Sequence, residues 1–166
     1  MTTKTLAYAR SHTAAFLSDK IAGLMRRLVN AYGFDARAVA DAWNEWIDTA
    51  ARAWMESGHL IAFKIQFHMP GEALVRGGME FLVRYDGNGE AELYVDEDHF
   101  RQTIAKAEAP PAGALYRIVL ATSPGAPAVK GVGDAPPFSM GTLIAREAGS
   151  VIVTPDLMAS ARYYKK

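Results

Sequence analysis

The sequence predicts an α+β fold in which three helices pack on a mainly antiparallel sheet. Apolar residues recur every three or four positions between residues 11 and 58, which is typical of amphipathic helices. Between residues 59 and 85 they alternate with polar residues, which is typical of strands with one buried face. The 166 residues show no internal repeat, so we expect a single domain that is long enough to bury a substantial core.

The composition narrows the classes of function. Eighteen basic side chains balance eighteen acidic ones, so the overall basic charge of many nucleic-acid-binding proteins is missing, and we expect no direct nucleic-acid binding. The chain has no cysteine, which excludes a disulfide framework and a cysteine nucleophile. No apolar run approaches the ~20 residues of a membrane span, and the first residues lack a signal core. We therefore expect a cytoplasmic protein that does not contact a membrane.

The first helix is predicted over residues 11–32. Ser11 suits the N-cap position, and Gly33 suits the position just past the end because it tolerates a left-handed conformation. Residues 1–10 show no period, and we expect them to form a loose arm or a short edge strand. The apolar stripe of the helix contains Leu17, Ile21, Leu24 and Leu28.

A second helix is predicted between Asp35, a suitable cap, and Gly58. Three tryptophans on one helix could form a ligand cage or a platform on which bases stack. Tryptophan at helical spacing is more often part of a core, however, and we prefer that interpretation. The apolar face contains Val39, Trp43, Trp46, Ile47, Ala50 and Trp54.

Two strands with one buried face follow. The Asp-Gly-Asn-Gly run at residues 86–89 predicts a hairpin turn, because both dipeptides favour positive φ, and residues 90–95 would form the return strand. The buried positions are predicted to be Ile61, Phe63, Ile65 and Phe67 in the first strand, and Met79, Phe81, Val83 and Tyr85 in the second.

A third helix is predicted from Asp96 to the proline pair at residues 110–111. Its first turn contains three acidic residues, which favour the positive end of the helix dipole. Phe100 and Ile104 point inward.

The remaining chain changes character after residue 122. Residues 114–122 form the last predicted strand of the main sheet, with Tyr116, Ile118 and Leu120 on one side. Residues 123–141 are rich in proline and glycine and are longer than an ordinary connection, which indicates a functional or disordered segment. Strand-forming residues return at 142–154, and the chain closes with aromatic and basic residues.

No catalytic or metal-binding pattern is found. The run at residues 84–95 matches an EF-hand loop only in its middle, since Arg84 and Val95 stand at the first and last ligand positions. The four histidines are not at zinc-binding spacings, and Ser139 lacks the context of a nucleophile elbow. We therefore predict neither an enzyme nor a cofactor.

Several short runs occur in a particular order along almost the whole chain. They are Tyr8 with Ser11-His12-Thr13, Ser57-Gly58, the acidic start at Asp96, residues 116–122 leading into Ser123-Pro124-Gly125, Gly131, and Gly149-Ser150-Val151. In this order the chain resembles the bacterial HORMA-domain proteins that accompany cyclic-oligonucleotide synthases in antiphage signalling operons of the CBASS type.

The resemblance implies a HORMA-like domain with three parts: an N-terminal arm (residues 1–10), a core (11–122) and a mobile safety belt (123–166). In that family the belt wraps around a closure-motif peptide, which adds a strand to the core sheet. The receiving edge would be residues 116–121, with the third helix beneath it. The peptide-binding residues implied here are Tyr116, Ile118, Leu120, Phe100, Ile104, Val151 and Val153.

The resemblance also implies partners. In its closed form the chain would bind and activate a cyclic-oligonucleotide synthase, and an AAA+ remodelling ATPase would reopen it by engaging the arm at Lys4, Tyr8 and Arg10. A second HORMA paralogue is a further implied partner.

Two alternatives stay open. One is a constitutive structural or oligomer-forming subunit whose tail permanently completes the sheet of a partner. The other is a small-molecule-binding domain or enzyme with a pocket lined by Trp43, Trp46 and Trp54.

Overall fold

The computed structural model describes residues 3–86 and 93–166, with residues 3–9 described by their backbone. The described chain contains three helical rods, because the helical segments between residues 37 and 56 follow one another without a break and form one rod. The elements are α1 (Thr3–Ala31), α2 (Arg37–Ala42), the π-helical turn (Trp43–Ile47), α3 (Asp48–Glu56), β1 (Leu60–His68), β2 (Val75–Arg84), β3 (Tyr94–Val95), α4 (Glu97–Lys106), β4 (Leu115–Thr122), β5 (Ile144–Val153) and β6 (Met158–Lys165).

Helix α1 begins earlier than predicted. It starts at Thr3, so the expectation of a loose arm or strand is wrong for residues 3–10, and Ser11 lies inside the helix rather than at its cap. Alanine-rich sequence without glycine or proline explains this early start, because such residues favour helix. The end agrees with the prediction: Gly33 follows the helix at φ 83°.

The six strands form one antiparallel sheet in the order β3-β5-β6-β2-β1-β4. Strand β3 pairs with β5, with Tyr94 opposite Val153, and β5 and β6 separate it from β2. The expected return strand therefore does not extend a β2 hairpin at residues 94–95. The predicted turn falls largely on residues 87–92, which lie outside the described residues.

Strand β6 was not predicted, although it lies in the middle of the sheet between β5 and β2. Ala159, Ser160 and Ala161 are buried within it. Alanine and serine have little intrinsic preference for strands, so only burial against both neighbours explains this element.

The core lies between the helices and one face of the sheet. The predicted stripe of α1 is buried, as are Phe63 and Phe81 on the neighbouring strands, and Trp43 stacks on Phe63 with the ring centroids 5.8 Å apart. Ile61 is a correction, because it is 46% exposed. A register shift between Leu60 and Ala62 turns Ile61 outward and places Leu60 in the core instead.

Across the described ranges, no helix is long and apolar enough to cross a membrane.

Candidate binding groove

Strand β4 forms an edge of the sheet. It pairs with β1 on one side, and no described strand pairs with its other side. An edge strand presents unpaired N–H and C=O groups on its free side. This side faces a groove of about 800 Å³, lined on β4 by Arg117, Ile118, Val119, Leu120, Ala121 and Thr122.

Residues 126–138, here called the wall segment, provide most of the opposite side of the groove. The chain enters this segment beside the start of β1, where the Ser123 N–H donates to the His59 carbonyl at 2.9 Å. The Trp54 Nε1–H then donates to the Pro127 carbonyl at 2.7 Å. Val129 and Val132 pack against the core. One end of the wall segment is thereby fixed to the helical side of the molecule.

The other end of the wall segment is fixed near the end of β1. The Phe138 ring lies edge-on to His68 at 5.1 Å. Ser139 then forms a parallel bridge with Leu74: its N–H donates to the Ala73 carbonyl at 2.9 Å, and its carbonyl accepts from the Val75 N–H at 2.8 Å. The wall segment therefore runs beside β4 and is held at both ends.

The groove has an apolar side and a polar side, because side chains alternate along β4. Tyr116, Ile118 and Leu120 pack against the core beneath the helices, and Trp46 and Trp54 line the groove there. On the opposite face of the sheet, Arg117 and Val119 lie in register with Gln66 and Lys64.

Arg117 is the central charged residue of the polar side. Its Nε–H donates to Gln66 Oε1 at 3.0 Å, and its guanidinium lies 3.4 Å from the centroid of the Phe138 ring. Burial lowers the pKa of Arg117 from its usual range, but arginine remains a cation in proteins. Within the described ranges, no carboxylate lies within ion-pair distance of Arg117, whereas Lys64 Nζ lies 3.6 Å from Glu80 Oε2.

The structure brings together only part of the predicted site. Ile118 and Leu120 line the groove, and Tyr116 lies beside it, with its hydroxyl donating to the Asp35 carbonyl at 3.2 Å. Val151 and Val153 lie on β5, and three strands separate them from β4. They are not among the residues that line the groove.

The predicted position of the third helix beneath β4 is wrong. Helix α4 packs on β5 and β6, and Phe100 is buried with its ring 5.8 Å from that of Phe81. Ile104 accepts a hydrogen bond from the Tyr32 hydroxyl through its carbonyl at 3.3 Å. The reason is that β5 and β6 extend the sheet on the β2 side, and α4 covers that extension.

The residues expected to engage a remodelling ATPase lie in α1. Lys4 and Tyr8 belong to the part of α1 described by backbone alone. Arg10 instead contacts the turn between β5 and β6, where its Nε lies 2.6 Å from Asp156 Oδ2.

Several groove residues were not predicted from the sequence. Arg117, Gln66 and Phe138 come from three separate segments, and only the fold brings them together. One signal was available, since Arg117 is the sole charged residue in an otherwise apolar strand. Of the proposed tryptophan pocket, Trp46 and Trp54 line the groove, while Trp43 stacks in the core. Among the residues with described side chains, no cluster of histidine and acidic residues could hold a metal ion.

The sequence matches a known protein family. The sequence profile of the family described as Bacterial HORMA domain 2 matches residues 1–166. No curated protein matches the sequence.

Solved structures share the fold at low identity. A chain of the E. coli MS115-1 HORMA:CdnC:Trip13 complex is 13% identical, with a TM-score of 0.60 over 94% of this chain and 89% of that one. A chain of a mitotic checkpoint complex is 10% identical, with a TM-score of 0.59 over 92% and 96%. C. elegans HTP-2 bound to the HIM-3 closure motif is 16% identical, with a TM-score of 0.52 over 79% and 69%. With the family profile matching from end to end, the chain belongs to the Bacterial HORMA domain 2 family.

Proposed function

We propose that this chain is a peptide-binding conformational switch that regulates a cyclic-oligonucleotide synthase in antiphage defence. A closure-motif peptide adds to β4 as a further strand, and the closed, peptide-bound form binds and activates the synthase. The observation that carries this proposal is the free edge of β4, which faces a groove enclosed by the wall segment.

The dimensions of the groove support strand addition. Six consecutive residues of β4 line it, which corresponds to a strand on the order of 20 Å long. Main-chain hydrogen bonds to the edge would supply affinity, and alternate side-chain pockets would supply specificity. Because the wall segment is held at both ends, a peptide must thread beneath it or wait for one end to detach. Binding and release should both be slow.

The arrangement of the C-terminal strands also supports the proposal. Strands β5 and β6 pair on the β2 side of the sheet and leave β4 free. In our proposal this is the closed state, and an AAA+ ATPase reopens it by acting on the first residues of the chain. The belt comprises residues 123–166, as the family resemblance implies.

The partners are proposed by comparison with structural neighbours. The E. coli complex contains HORMA, CdnC and Trip13, and C. elegans HTP-2 is bound to a closure motif. A second HORMA paralogue is a further partner in this proposal. The chain itself acts as a regulatory subunit and not as an enzyme.

The experiment is to co-purify the chain with the proteins encoded beside it and to measure nucleotide cyclisation with and without the chain. Deleting residues 123–166 would be a poor control, because it removes buried core residues such as Val151 and Leu157. We would instead fill the groove with Ala135→Trp, since Ala135 is an exposed residue of the wall segment. Ala105→Trp on the exposed face of α4 is the matched control.

Stimulation that is lost in Ala135→Trp and kept in Ala105→Trp is the expected result. Equal stimulation by both variants would contradict the role of the groove. A stable complex that stimulates nothing and shows no slow interconversion would favour a constitutive subunit. A ligand-dependent change in tryptophan fluorescence without any protein partner would favour a small-molecule site at Trp46 and Trp54.

A further inference from the structure

We infer that the groove selects peptides whose side chains alternate between acidic and apolar, with the acidic side chain directed at Arg117. This inference rests on the proposed strand addition to β4.

Alternation follows from the geometry of a strand. Successive side chains of an added strand point to opposite faces of the sheet, and each lies beside the β4 residue on the same face. Every second peptide side chain would therefore lie beside Arg117 or Val119, on the sheet face that also carries Gln66 and Lys64 of β1. The intervening side chains would lie beside Ile118 and Leu120, under the tryptophans.

The charge on the polar side favours an acidic group. Lys64 is already paired with Glu80, which also lies 3.8 Å from Arg162. Arg117 is only partly exposed and is held in place by Gln66 and Phe138, and no described carboxylate neutralises it. Asp134 on the wall segment also lines the groove. It is exposed to solvent and is not within ion-pair distance of Arg117, so it does not neutralise the guanidinium.

A peptide carboxylate at this position would gain a charge-assisted hydrogen bond from a guanidinium whose orientation is already fixed. A lysine or arginine at the same position would be repelled.

The other side of the groove favours apolar groups. Trp46 and Trp54 line it together with Ile118 and Leu120, and the one polar atom of the Trp54 ring already donates to Pro127. A polar peptide side chain placed beside Trp54 would lose water without gaining that ring N–H as a partner, whereas an apolar one would bury its surface. The polar and apolar sides of the groove together favour a peptide in which an acidic side chain alternates with apolar ones.

The test is selection of random linear peptides displayed on phage against the full-length chain, followed by fluorescence anisotropy of the enriched sequences as synthetic peptides. We expect aspartate or glutamate at one position and apolar residues on both sides of it, and we expect the Ala135→Trp variant, whose groove is filled, to lose binding of these peptides. Arg117→Gln should weaken binding of the acidic peptide roughly 10- to 100-fold and reduce its salt dependence. Arg117→Glu should shift the selection toward lysine and arginine.

The exposed Arg101→Glu on α4 is the matched charge reversal and should change neither selection nor affinity. Circular dichroism of each variant would show that it remains folded. Groove-dependent peptides without an acidic preference, or an acidic preference that survives Arg117→Glu, would overturn the inference and leave the proposed function standing. A folded wild-type chain that enriches no groove-dependent peptide would overturn both.

Discussion

Arg10 and Asp156 form an ion pair between the N-terminal helix and the C-terminal strands, although 146 positions separate them in the sequence. The distance from Arg10 Nε to Asp156 Oδ2 is 2.6 Å, and the Arg10 guanidinium also lies 5.4 Å from the centroid of the Tyr85 ring. Helix α1 is therefore tied directly to the turn between β5 and β6. A force applied to the first residues of the chain would act on this contact.

The ion pair should stabilise the folded protein measurably. Both side chains are about 30% exposed, so we expect a coupling energy of roughly 1–2 kcal/mol, between the values for exposed and buried pairs. Denaturant unfolding of Arg10→Ala, Asp156→Ala and the double variant would measure it. Arg26→Ala, an exposed arginine of the same helix, is the control. Strictly additive effects of the two single changes would contradict the coupling.

The hydrogen bond from Trp54 to Pro127 should hold the wall segment against the helices. Trp54→Phe keeps an aromatic ring but removes the Nε1–H donor, so we expect a loss of about 1 kcal/mol in the free energy of unfolding. We also expect faster amide hydrogen exchange in residues 126–132. Trp46→Phe, at the neighbouring tryptophan of the groove, should leave exchange in those residues nearly unchanged. Equal exchange rates in the two variants would rule out a specific anchoring role for Trp54.

Gly78 should be intolerant of any side chain. It has φ 135°, and a Cβ at this position would clash with the carbonyl oxygen of Ile65 on the paired strand. Gly78→Ala is therefore expected to cost more than about 3 kcal/mol or to prevent folding.

Gly23 provides the matched contrast. It lies inside α1, where the nearest atom to an added Cβ is the end of the Arg26 side chain at 3.9 Å. Gly23→Ala should therefore stabilise the protein by about 0.5–1 kcal/mol. Thermal unfolding of both variants checks the opposite signs. A destabilised Gly23→Ala would show that α1 is more tightly packed there than its surroundings indicate.

Tyr85 should make the protein sensitive to alkaline pH. Burial raises the pKa of Tyr85 from 10.0 to about 12, and its hydroxyl donates to the Leu60 carbonyl at 2.8 Å. The pKa of Tyr85 is higher in the folded protein than in the unfolded chain. The contribution of the protonated Tyr85 hydroxyl to the free energy of unfolding is therefore complete below pH 10 and is lost as the pH rises toward 12. Tyr85 is partly exposed and solvent screens part of the effect, so we expect the free energy of unfolding to fall by roughly 1–2 kcal/mol over that window.

Tyr85→Phe tests the contribution of Tyr85. It should be about 1 kcal/mol less stable at pH 8, because the hydrogen bond is gone, but it should lose less stability between pH 10 and 12. Urea unfolding at several pH values measures both effects. If the free energy of unfolding of Tyr85→Phe fell as steeply between pH 10 and 12 as that of the wild type, the alkaline loss of stability would come from other tyrosines.

Much of the fold could be predicted because it follows from local pattern. The stripe of α1 that contains Leu17 and Leu28, and the alternation at Phe63 and Phe81, correctly identified which side chains are buried. The start of α4 also followed from sequence. The Asp96 carboxylate accepts a hydrogen bond from the His99 N–H at 3.0 Å, and this hydrogen bond lowers the pKa of Asp96. Each of these features depends on residues that are close together in the chain.

Only the tertiary structure decided which strands are neighbours. Periodicity assigns the faces of a strand but does not identify its pairing partner, because main-chain hydrogen bonds carry no side-chain pattern. The sequence therefore did not predict the insertion of β6 between β5 and β2, the pairing of β3 with β5, or the packing of α4 on β5 and β6.

The groove beside β4 was only partly predictable from the sequence. By itself the sequence determined that residues 114–122 form a strand and that an irregular, proline-rich segment follows it. The tertiary structure decided that β4 has a free edge, and that Arg117, Gln66 and Phe138 meet beside it. The physical reason is that a binding site of this kind consists of contacts between distant segments, and those contacts exist only once the sheet has assembled.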